Sequence, residues 1–177
     1  MLTIAVAILA VSLLALIAVM AGGRLPPRHA AAVRARYAAS PDTVWALVAD
    51  PLGAASWRRD IDLVEPIAAS DNVLRWRERS RRRVIEFEAL PPVPGRRFTT
   101  RIAQDDLPFA GQWDFDLSPD GSGTALVITE QGEIRPPLFR LLTRHVFGYT
   151  HSLEAYHRSL AARLGEKCRL EIVSNGR

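Results

Sequence analysis

The chain begins with a long uncharged segment and continues with short stretches in which apolar and polar residues alternate. Leu2–Ala21 contains no charged residue, and its only hydroxyl side chains are Thr3 and Ser12. Roughly 20 apolar residues in a helix rise about 30 Å, which matches the hydrocarbon core of a bilayer. The pattern therefore predicts a transmembrane helix over residues 1–22 and a protein that works at a membrane surface.

Two interpretations of this segment remain open. A secretory signal has a basic start, a shorter apolar stretch and a small-residue cleavage site, a role that Val19-Met20-Ala21 could fill. No Lys or Arg precedes the apolar run, and this favours a retained anchor. Four arginines lie between Arg24 and Arg36, ahead of the first acid, Asp42. The positive-inside rule then predicts a single-pass protein with its domain in the cytoplasm, in a bacterium at the inner membrane.

The segment after the span predicts a linker, a strand and a helix. Glycines and prolines indicate a linker at 23–31. Residues 32–39 alternate apolar and polar side chains, which is typical of a half-buried strand. Ser40-Pro41 indicates a helix start, with serine as N-cap and proline at the first helical position. Asp50-Pro51 marks the end of that helix.

Further alternating segments predict antiparallel strands separated by turn residues. Aromatic and aliphatic side chains share one face of each segment, and charged side chains share the other. Turn residues occur at Ser70-Asp71-Asn72 and at Pro119–Gly123. The predicted strands are Ile61–Ile67, Val73–Ser80, Val84–Leu90, Arg97–Gln104, Gln112–Ser118 and Thr124–Ile134.

The last predicted element is one long amphipathic helix from Pro136-Pro137 to about Leu164. Its apolar residues recur at spacings of three and four, so they share one face. A sheet with one apolar face and a helix with a matching face bury each other. The predicted fold is α+β, a curved antiparallel sheet wrapped on the long C-terminal helix, with the domain at 32–166 and a tail at 167–177.

Composition limits the chemistry. The formal charge is +4, and Lys167 is the only lysine among 23 basic residues. One cysteine, Cys168, excludes an internal disulfide and a multi-cysteine metal site. The four histidines form no metal-ligand spacing. We therefore expect no metal and no cofactor.

Arginines cluster at Arg75–Arg83. Alternation places those at 75, 77 and 79 in an outward row, and the preferred interpretation is a solvated strand face paired with Glu86 and Glu88. Contact with anionic headgroups is the second interpretation. Nucleic acid is not expected as a partner, because Trp76 points away from this row and RNA readers interleave exposed aromatic residues.

Three segments resemble the START-like (SRPBCC) superfamily, in its polyketide cyclase/dehydrase branch. They are Ser40–Pro51 followed by Trp57 and Val64-Glu65, then Pro108–Phe115 running into Pro119–Thr124, and the terminal amphipathic helix. The resemblance spans about Arg34 to Leu164. It implies a helix-grip fold with a cavity between the sheet and the last helix.

The candidate ligand-binding residues face that space. The strand aromatics are interpreted either as plain core or as the lining of an apolar pocket. On the helix, a polar margin could orient a carbonyl or hydroxyl group, although such a margin is also typical of a helix edge in water. The candidates are Trp76, Phe87, Phe98, Trp113, Phe115, His145, Tyr149 and Tyr156.

Two carboxylates share strand parity with the apolar residues. Glu78 and Glu130 are predicted on the inward face, where burial would raise a carboxyl pKa. The preferred interpretation places both at open strand ends in water, since unpaired carboxylates are rarely buried.

The residues favour a binding function. No nucleophile, base and orienting group can be assembled from them. We therefore expect membrane-tethered binding or transfer of a hydrophobic small molecule or lipid without catalysis. The alternatives are a cyclase/dehydratase-type enzyme that uses His145, Tyr149 or Glu130 for proton transfer, and a scaffold with a filled core.

Overall fold

A computed structural model of the chain describes residues 2–68, 73–81 and 83–175. The predicted turn at Ser70-Asp71-Asn72 and the arginine at position 82 lie outside the described residues. The helices are α1 (Leu2–Gly23), α2 (Pro41–Val48), α3 (Pro137–Leu142) and α4 (His151–Arg163), with a 3₁₀ turn at Ala54–Ser56 and a π-helical turn at Thr143–Phe147.

An antiparallel sheet forms the body of the domain. Its eight strands lie in the order β2-β3-β4-β5-β6-β7-β1-β8. This confirms the predicted α+β class and the antiparallel sheet. The strands are β1 (Arg28–Tyr37), β2 (Leu63–Ile67), β3 (Arg75–Ser80), β4 (Arg83–Ala89), β5 (Arg97–Ile102), β6 (Phe109–Asp120), β7 (Gly123–Ile134) and β8 (Leu170–Asn175).

Alternation correctly predicts which strand residues face inward. Val33, Ala35 and Tyr37 of β1 are buried, and so are Phe115 and Leu117 of β6. The β6–β7 hairpin is longer and tighter than predicted, because pairing continues to Asp120 and Gly123. Only two residues remain for its turn, and Gly121 supplies the positive φ (+62°) that such turns require.

Helix α2 begins as its sequence predicts. The Ser40 hydroxyl accepts a hydrogen bond from the Thr43 N–H at 3.4 Å, and Pro41 occupies the first turn. Val44 and Val48, one turn apart, are buried against the sheet. Trp57, just after the 3₁₀ turn, packs on the same core.

The prediction of one continuous C-terminal helix is wrong. The helical segment from Pro137 ends at Gly148, whose φ of +75° interrupts the helix, and α4 begins only at His151. Glycine adopts positive φ without the steric cost that other residues meet. Leu138 and Val146, predicted to face the sheet, are 44 % and 67 % exposed. Of the predicted C-terminal helix, it is α4 that packs on both β1 and β7.

Both ends of the predicted domain extend further than expected. Strand β1 starts at Arg28, inside the stretch predicted as linker, and β8 lies inside the predicted tail. β8 pairs antiparallel with β1, which would otherwise be an edge strand. Glu166 fixes the approach to β8, because its carboxylate accepts hydrogen bonds from the N–H groups of Ala38 and Ala39.

Helix α1 is long and apolar enough to cross a membrane, judged by length and composition, a property that a signal sequence shares. Its described side chains are exposed, apart from Ala18, Ala21 and Gly22 near its end. Those three residues recur at helical spacing, so they share one face. Helix α3 packs against α1.

Candidate functional site

The space beneath α4 is filled by aromatic rings. Tyr156 of α4 lies 5.1 Å from Phe115, 6.0 Å from Trp113 and 5.3 Å from Trp57, measured between ring centroids. Phe98 continues the cluster, 6.1 Å from Phe115. Burial raises the pKa of Tyr156 above its ordinary value, so its hydroxyl stays protonated. This part of the inner face is packed core.

A charged pair lies beside this aromatic cluster. The Arg58 guanidinium contacts the Glu78 carboxylate at 3.3 Å and sits 5.3 Å from the centroid of the Tyr156 ring. The Trp76 indole N–H donates to the same carboxylate at 3.1 Å. Burial lowers the pKa of Arg58, but Glu78 and Asp60 outweigh it, and the net shift is upward. The Arg58 guanidinium therefore stays charged next to the core.

The preferred interpretation of the two inward carboxylates as strand ends in water is wrong. The side chains of Glu78 and Glu130 are only 14 % and 20 % exposed. Each carboxylate contacts polar side chains that the alternation along its own strand did not predict. For Glu78 these are Arg58 and Trp76, as described above.

Glu130 belongs to a second polar group. Its carboxylate accepts a hydrogen bond from the Ser152 hydroxyl at 3.2 Å and lies 3.4 Å from Nε2 of His29. The His29 ring stacks on Tyr149 with 4.4 Å between centroids. Since a carboxylate only accepts, Nε2 carries the hydrogen in this contact, and Nδ1 is the remaining polar atom of the ring. Within the described part of the chain, that buried Nδ1 has no hydrogen-bond partner.

Sequence reasoning missed His29 because it falls in the stretch predicted as linker. Extending the alternation of β1 backwards from Val33 through Ala31 would have placed it inward. His145, the histidine that was predicted at the site, lies exposed in the π-helical turn. Gly148 separates it from Tyr149, so the predicted stripe of His145, Tyr149 and Tyr156 does not form along one helix.

Two glycines lie in one cross-strand row on the inner face. Phe87 pairs with Ile102, and Gly111 pairs with Gly132, which pairs in turn with His29. Arg101 pairs with Gln112, so the continued register places Ile102 opposite Gly111. The His29 ring occupies the space above Gly132, where an added Cβ would lie 2.3 Å from it. Among the described residues, only the Gln131 carbonyl oxygen and the Gly132 Cα lie within 4 Å of the place that a Cβ at Gly111 would take.

We call this depression the glycine groove. Gly111 is its floor, Phe87 and Ile102 form one wall, and His29 stacked on Tyr149 forms the other. Phe87, Ile102, Gly111 and Tyr149 are each half-buried, in contrast to the core under α4. Trp113, also half-buried, follows the floor along the same strand face.

The face of the sheet away from α4 is built differently. Glu88 is buried between Arg75 and Arg101, and the hydrogen bond from Arg101 holds its pKa below the ordinary value. Arg77 pairs with Glu86 in the same way. This confirms the preferred interpretation of the arginine row as a strand face paired with its neighbour.

Two cavities of about 360 Å³ and 580 Å³ border neither α4 nor Gly111. The smaller lies at β1 and β8, with Arg34, Arg36, Lys167 and Arg169 in its lining. The larger lies over β3 to β5, with Arg75, Glu88 and Arg101 in its lining. Phe87 and Ile102, which form one wall of the glycine groove, also line this cavity.

His157 of α4 is a fully buried polar residue on the inner side of the sheet. Nε2 of His157 donates to the carbonyl of Val33 at 3.1 Å, and Nδ1 accepts from the Tyr37 hydroxyl at 2.8 Å. Burial lowers the pKa of His157 to about 4. Both ring nitrogens are satisfied in the neutral form, so this histidine holds α4 to β1.

A sequence model of the family described as "Polyketide cyclase / dehydrase and lipid transport" matches residues 28–165. The chain belongs to this family. The match begins where β1 begins and ends just after α4, so it covers the sheet and its covering helix. It leaves out α1 and β8.

Solved structures show the same START-like fold. An aromatase/cyclase called Zhui from Streptomyces sp. R1128 is 16 % identical, with a TM-score of 0.60 over 78 % of this chain and 94 % of that one. A START superfamily protein from Mycobacterium smegmatis is 20 % identical, with a TM-score of 0.61 over 77 % and 97 %. No curated protein matches the sequence.

One of the similar solved structures contains two domains and is longer than this chain. The di-domain aromatase/cyclase StfQ of the steffimycin biosynthetic pathway is 11 % identical, with a TM-score of 0.62 over 78 % of this chain. The chain spans about half of that protein, 52 % of its length. At these identities the likeness establishes the fold.

Within this family fold, the predicted site residues divide into two groups. Trp76, which is 2 % exposed, stacks on the half-buried Phe87 at 5.7 Å at the groove side of the sheet, whereas Phe98 and Phe115 lie in the core under α4. Tyr149 forms a groove wall, and Tyr156 fills the core under α4. Their roles in ligand binding remain predictions, since no ligand contact is described.

Proposed function

We propose that this protein binds a hydrophobic small molecule or lipid in the glycine groove while α1 holds the domain at a membrane. The observation that carries the proposal is the missing side chain at Gly111, between apolar walls on the inner face of the sheet. Small-molecule sites are concave and mostly apolar, with a few polar groups that orient the ligand. Here Tyr149 and the His29–Glu130 pair supply those polar groups at one wall.

The family description supports the choice of ligand class, because it joins cyclases and dehydrases with lipid transport. Apolar burial then supplies most of the affinity. One hydrogen bond to the polar wall contributes about 1 kcal/mol. The domain accordingly favours a molecule with a long or fused apolar body and a single polar end.

The groove proposal is tested by filling its floor. A Cβ at Gly111 would lie 3.5 Å from the nearest atom, the Gln131 carbonyl oxygen, which is an ordinary contact. Gly111→Leu should therefore fold and block the groove. Gln112→Leu adds the same side chain on the opposite face of β6 and serves as the control.

The measurement is a titration of detergent-solubilised full-length protein with N-phenyl-1-naphthylamine, whose fluorescence rises in apolar sites. Wild type and Gln112→Leu should bind alike, and Gly111→Leu should bind at least tenfold more weakly. Equal binding by all three proteins would contradict a ligand site at Gly111.

The anchor is the second part of the proposal. A retained α1 places the domain on the cytoplasmic side, since the arginines that follow the span favour that side. Washing membranes with alkaline carbonate should leave the protein in the pellet. Release into the supernatant, or a mature N-terminus at Gly22, would instead identify α1 as a cleaved signal.

The His29–Glu130 pair favours one second candidate, an enzyme acting on a hydrophobic carbonyl substrate. His29 lies at the groove wall with Nε2 directed at the Glu130 carboxylate, and a histidine oriented by a carboxylate is suited to proton transfer. Glu130→Gln keeps the shape but removes the charge. Conversion of the bound molecule by wild type, lost in Glu130→Gln, would establish the enzyme in place of the carrier.

A further inference from the structure

An apolar surface beside α1 is exposed in the folded domain. It consists of Leu138 and Phe139 in α3 and Val146 and Phe147 in the π-helical turn, and we call it the α3 patch. These side chains are 44 %, 55 %, 67 % and 60 % exposed. Two phenylalanines and two aliphatic residues are thus exposed within one helical segment, and a concentration of exposed apolar side chains typically marks a contact site.

The α3 patch lies at the end of the apolar helix. The Pro137 carbonyl abuts Gly22 so closely that a Cβ there would lie 1.9 Å from its oxygen. α1 loses exposure only at Ala18, Ala21 and Gly22 among its described side chains, so α3 covers its last turn and a half. At 1.5 Å per residue this overlap is about 7 Å deep.

Arg140 fixes the orientation of α3 relative to the end of α1. Its guanidinium donates to the carbonyls of Leu25, Ile134 and Arg135, at 3.2, 2.8 and 2.6 Å. The carbonyl of Leu25 belongs to the chain that leaves α1, and that of Ile134 ends β7. One side chain therefore joins the anchor, the sheet and α3, which sets the depth of the α3 patch.

We propose that the α3 patch inserts into the lipid bilayer next to α1. The inference rests on the membrane anchor of the proposed function. Helices that lie in a membrane interface bury their apolar face about 5–10 Å deep, and the overlap of α3 with α1 falls in that range. Arg24, Arg28 and Arg144 flank the segment, and their positive charges complement the negative charges of anionic headgroups.

Insertion has a consequence for the groove. Gly148 and Tyr149 directly follow the α3 patch, and Tyr149 stacks on His29 at the groove wall. The polar wall of the groove is thus held at the membrane surface. A ligand enters the groove from the bilayer without crossing bulk water.

The test places a fluorescent label at the α3 patch of the full-length protein. Phe147→Cys in a Cys168→Ala background carries an environment-sensitive nitrobenzoxadiazole label. The protein is reconstituted into phosphatidylcholine–phosphatidylglycerol vesicles that contain doxyl-labelled lipid. The control is Val93→Cys, since Val93 is also apolar and 51 % exposed.

Val93 lies at the opposite end of the sheet. Its loop is tied to the hairpin end of β6, where the Leu117 N–H donates to the Arg96 carbonyl. The chain leaving α1 is tied to the other end, where the Ile134 N–H donates to the Pro27 carbonyl. Twelve residues of β6 at about 3.3 Å each separate the two ends.

The label at position 147 should emit at shorter wavelength and lose at least half of its fluorescence to the doxyl lipid, and the label at position 93 should lose none. Protein that floats with the vesicles, while both labels are quenched only by aqueous iodide, would overturn the insertion and leave the anchor intact. Protein that fails to float would overturn both.

Discussion

The two ends of the sheet's inner face are built from the same alternating strands but differ in filling. Under α4, Phe98, Phe115 and Leu126 meet Leu153 and Leu160 in closed packing, and none of these residues is more than 5 % exposed. At the glycine groove, the wall residues Phe87 of β4 and Ile102 of β5 are half-buried, and β6 has no side chain at Gly111. The comparison shows that alternation decides which face is apolar, whereas the size of the inward residues decides how closely that face is filled.

The same contrast separates the two halves of the predicted C-terminal helix. α4 packs on β1 and β7, whereas α3 packs mainly on α1, with a smaller contact to β7. Gly148 lets the chain change direction between them. The two halves therefore bury their apolar side chains against different elements.

Matched phenylalanines give the largest expected difference between the two regions. Phe98→Ala removes a ring that is 4 % exposed, and truncation of a buried phenylalanine costs about 3–5 kcal/mol of unfolding free energy. Phe87→Ala removes a half-buried ring from the groove wall and should cost roughly half as much. Urea unfolding followed by tryptophan fluorescence measures both, and equal losses would show that the groove is as closed as the core.

The boundary between the regions is tested at the Arg58–Glu78 pair. Arg58→Met leaves the Glu78 carboxylate without its cation, and breaking such a buried pair costs about 3 kcal/mol. Replacing both residues, in Arg58→Met/Glu78→Gln, keeps an acceptor for the Trp76 indole N–H and should restore most of that loss. A double variant no more stable than the single one would mean that the pair itself stabilises the fold.

The closed region should also be the more sensitive to acid. The pKa of His157 is about 4 in the folded protein, against an ordinary value of 6.5. The unfolded chain therefore binds more protons between these values, and stability falls as the pH drops through that window. Between pH 7 and pH 5 this contributes a loss of about 2 kcal/mol. The loss should be absent in His157→Gln, and an unchanged pH profile in that variant would assign the acid sensitivity elsewhere.

The sequence is most informative where a rule is local. The Ser40 cap, the inward parity of Trp113 and Phe115, and the outward pairing of Arg75 and Arg77 follow from neighbouring residues alone. These features were predicted correctly. They define the fold and the apolar character of its inner face.

The groove itself depends on the register between strands, which the apolar pattern of each separate strand does not fix. Gly111 and Gly132 fall side by side only because β6 and β7 pair as they do. The preference of Glu78 for Arg58 likewise depends on the path of the loop after α2. His29 was assigned to a linker because the prolines before it masked the start of β1.

The most direct test of the central claim is to identify what the protein carries. Full-length wild type, Gln112→Leu and Gly111→Leu are purified in the same detergent, extracted with organic solvent and analysed by mass spectrometry against a mock purification. Wild type and Gln112→Leu should yield one apolar species at close to one molecule per chain, and Gly111→Leu should yield less than a tenth of that. The same species at the same yield in all three proteins, or none above the mock in wild type, would contradict ligand binding in the glycine groove.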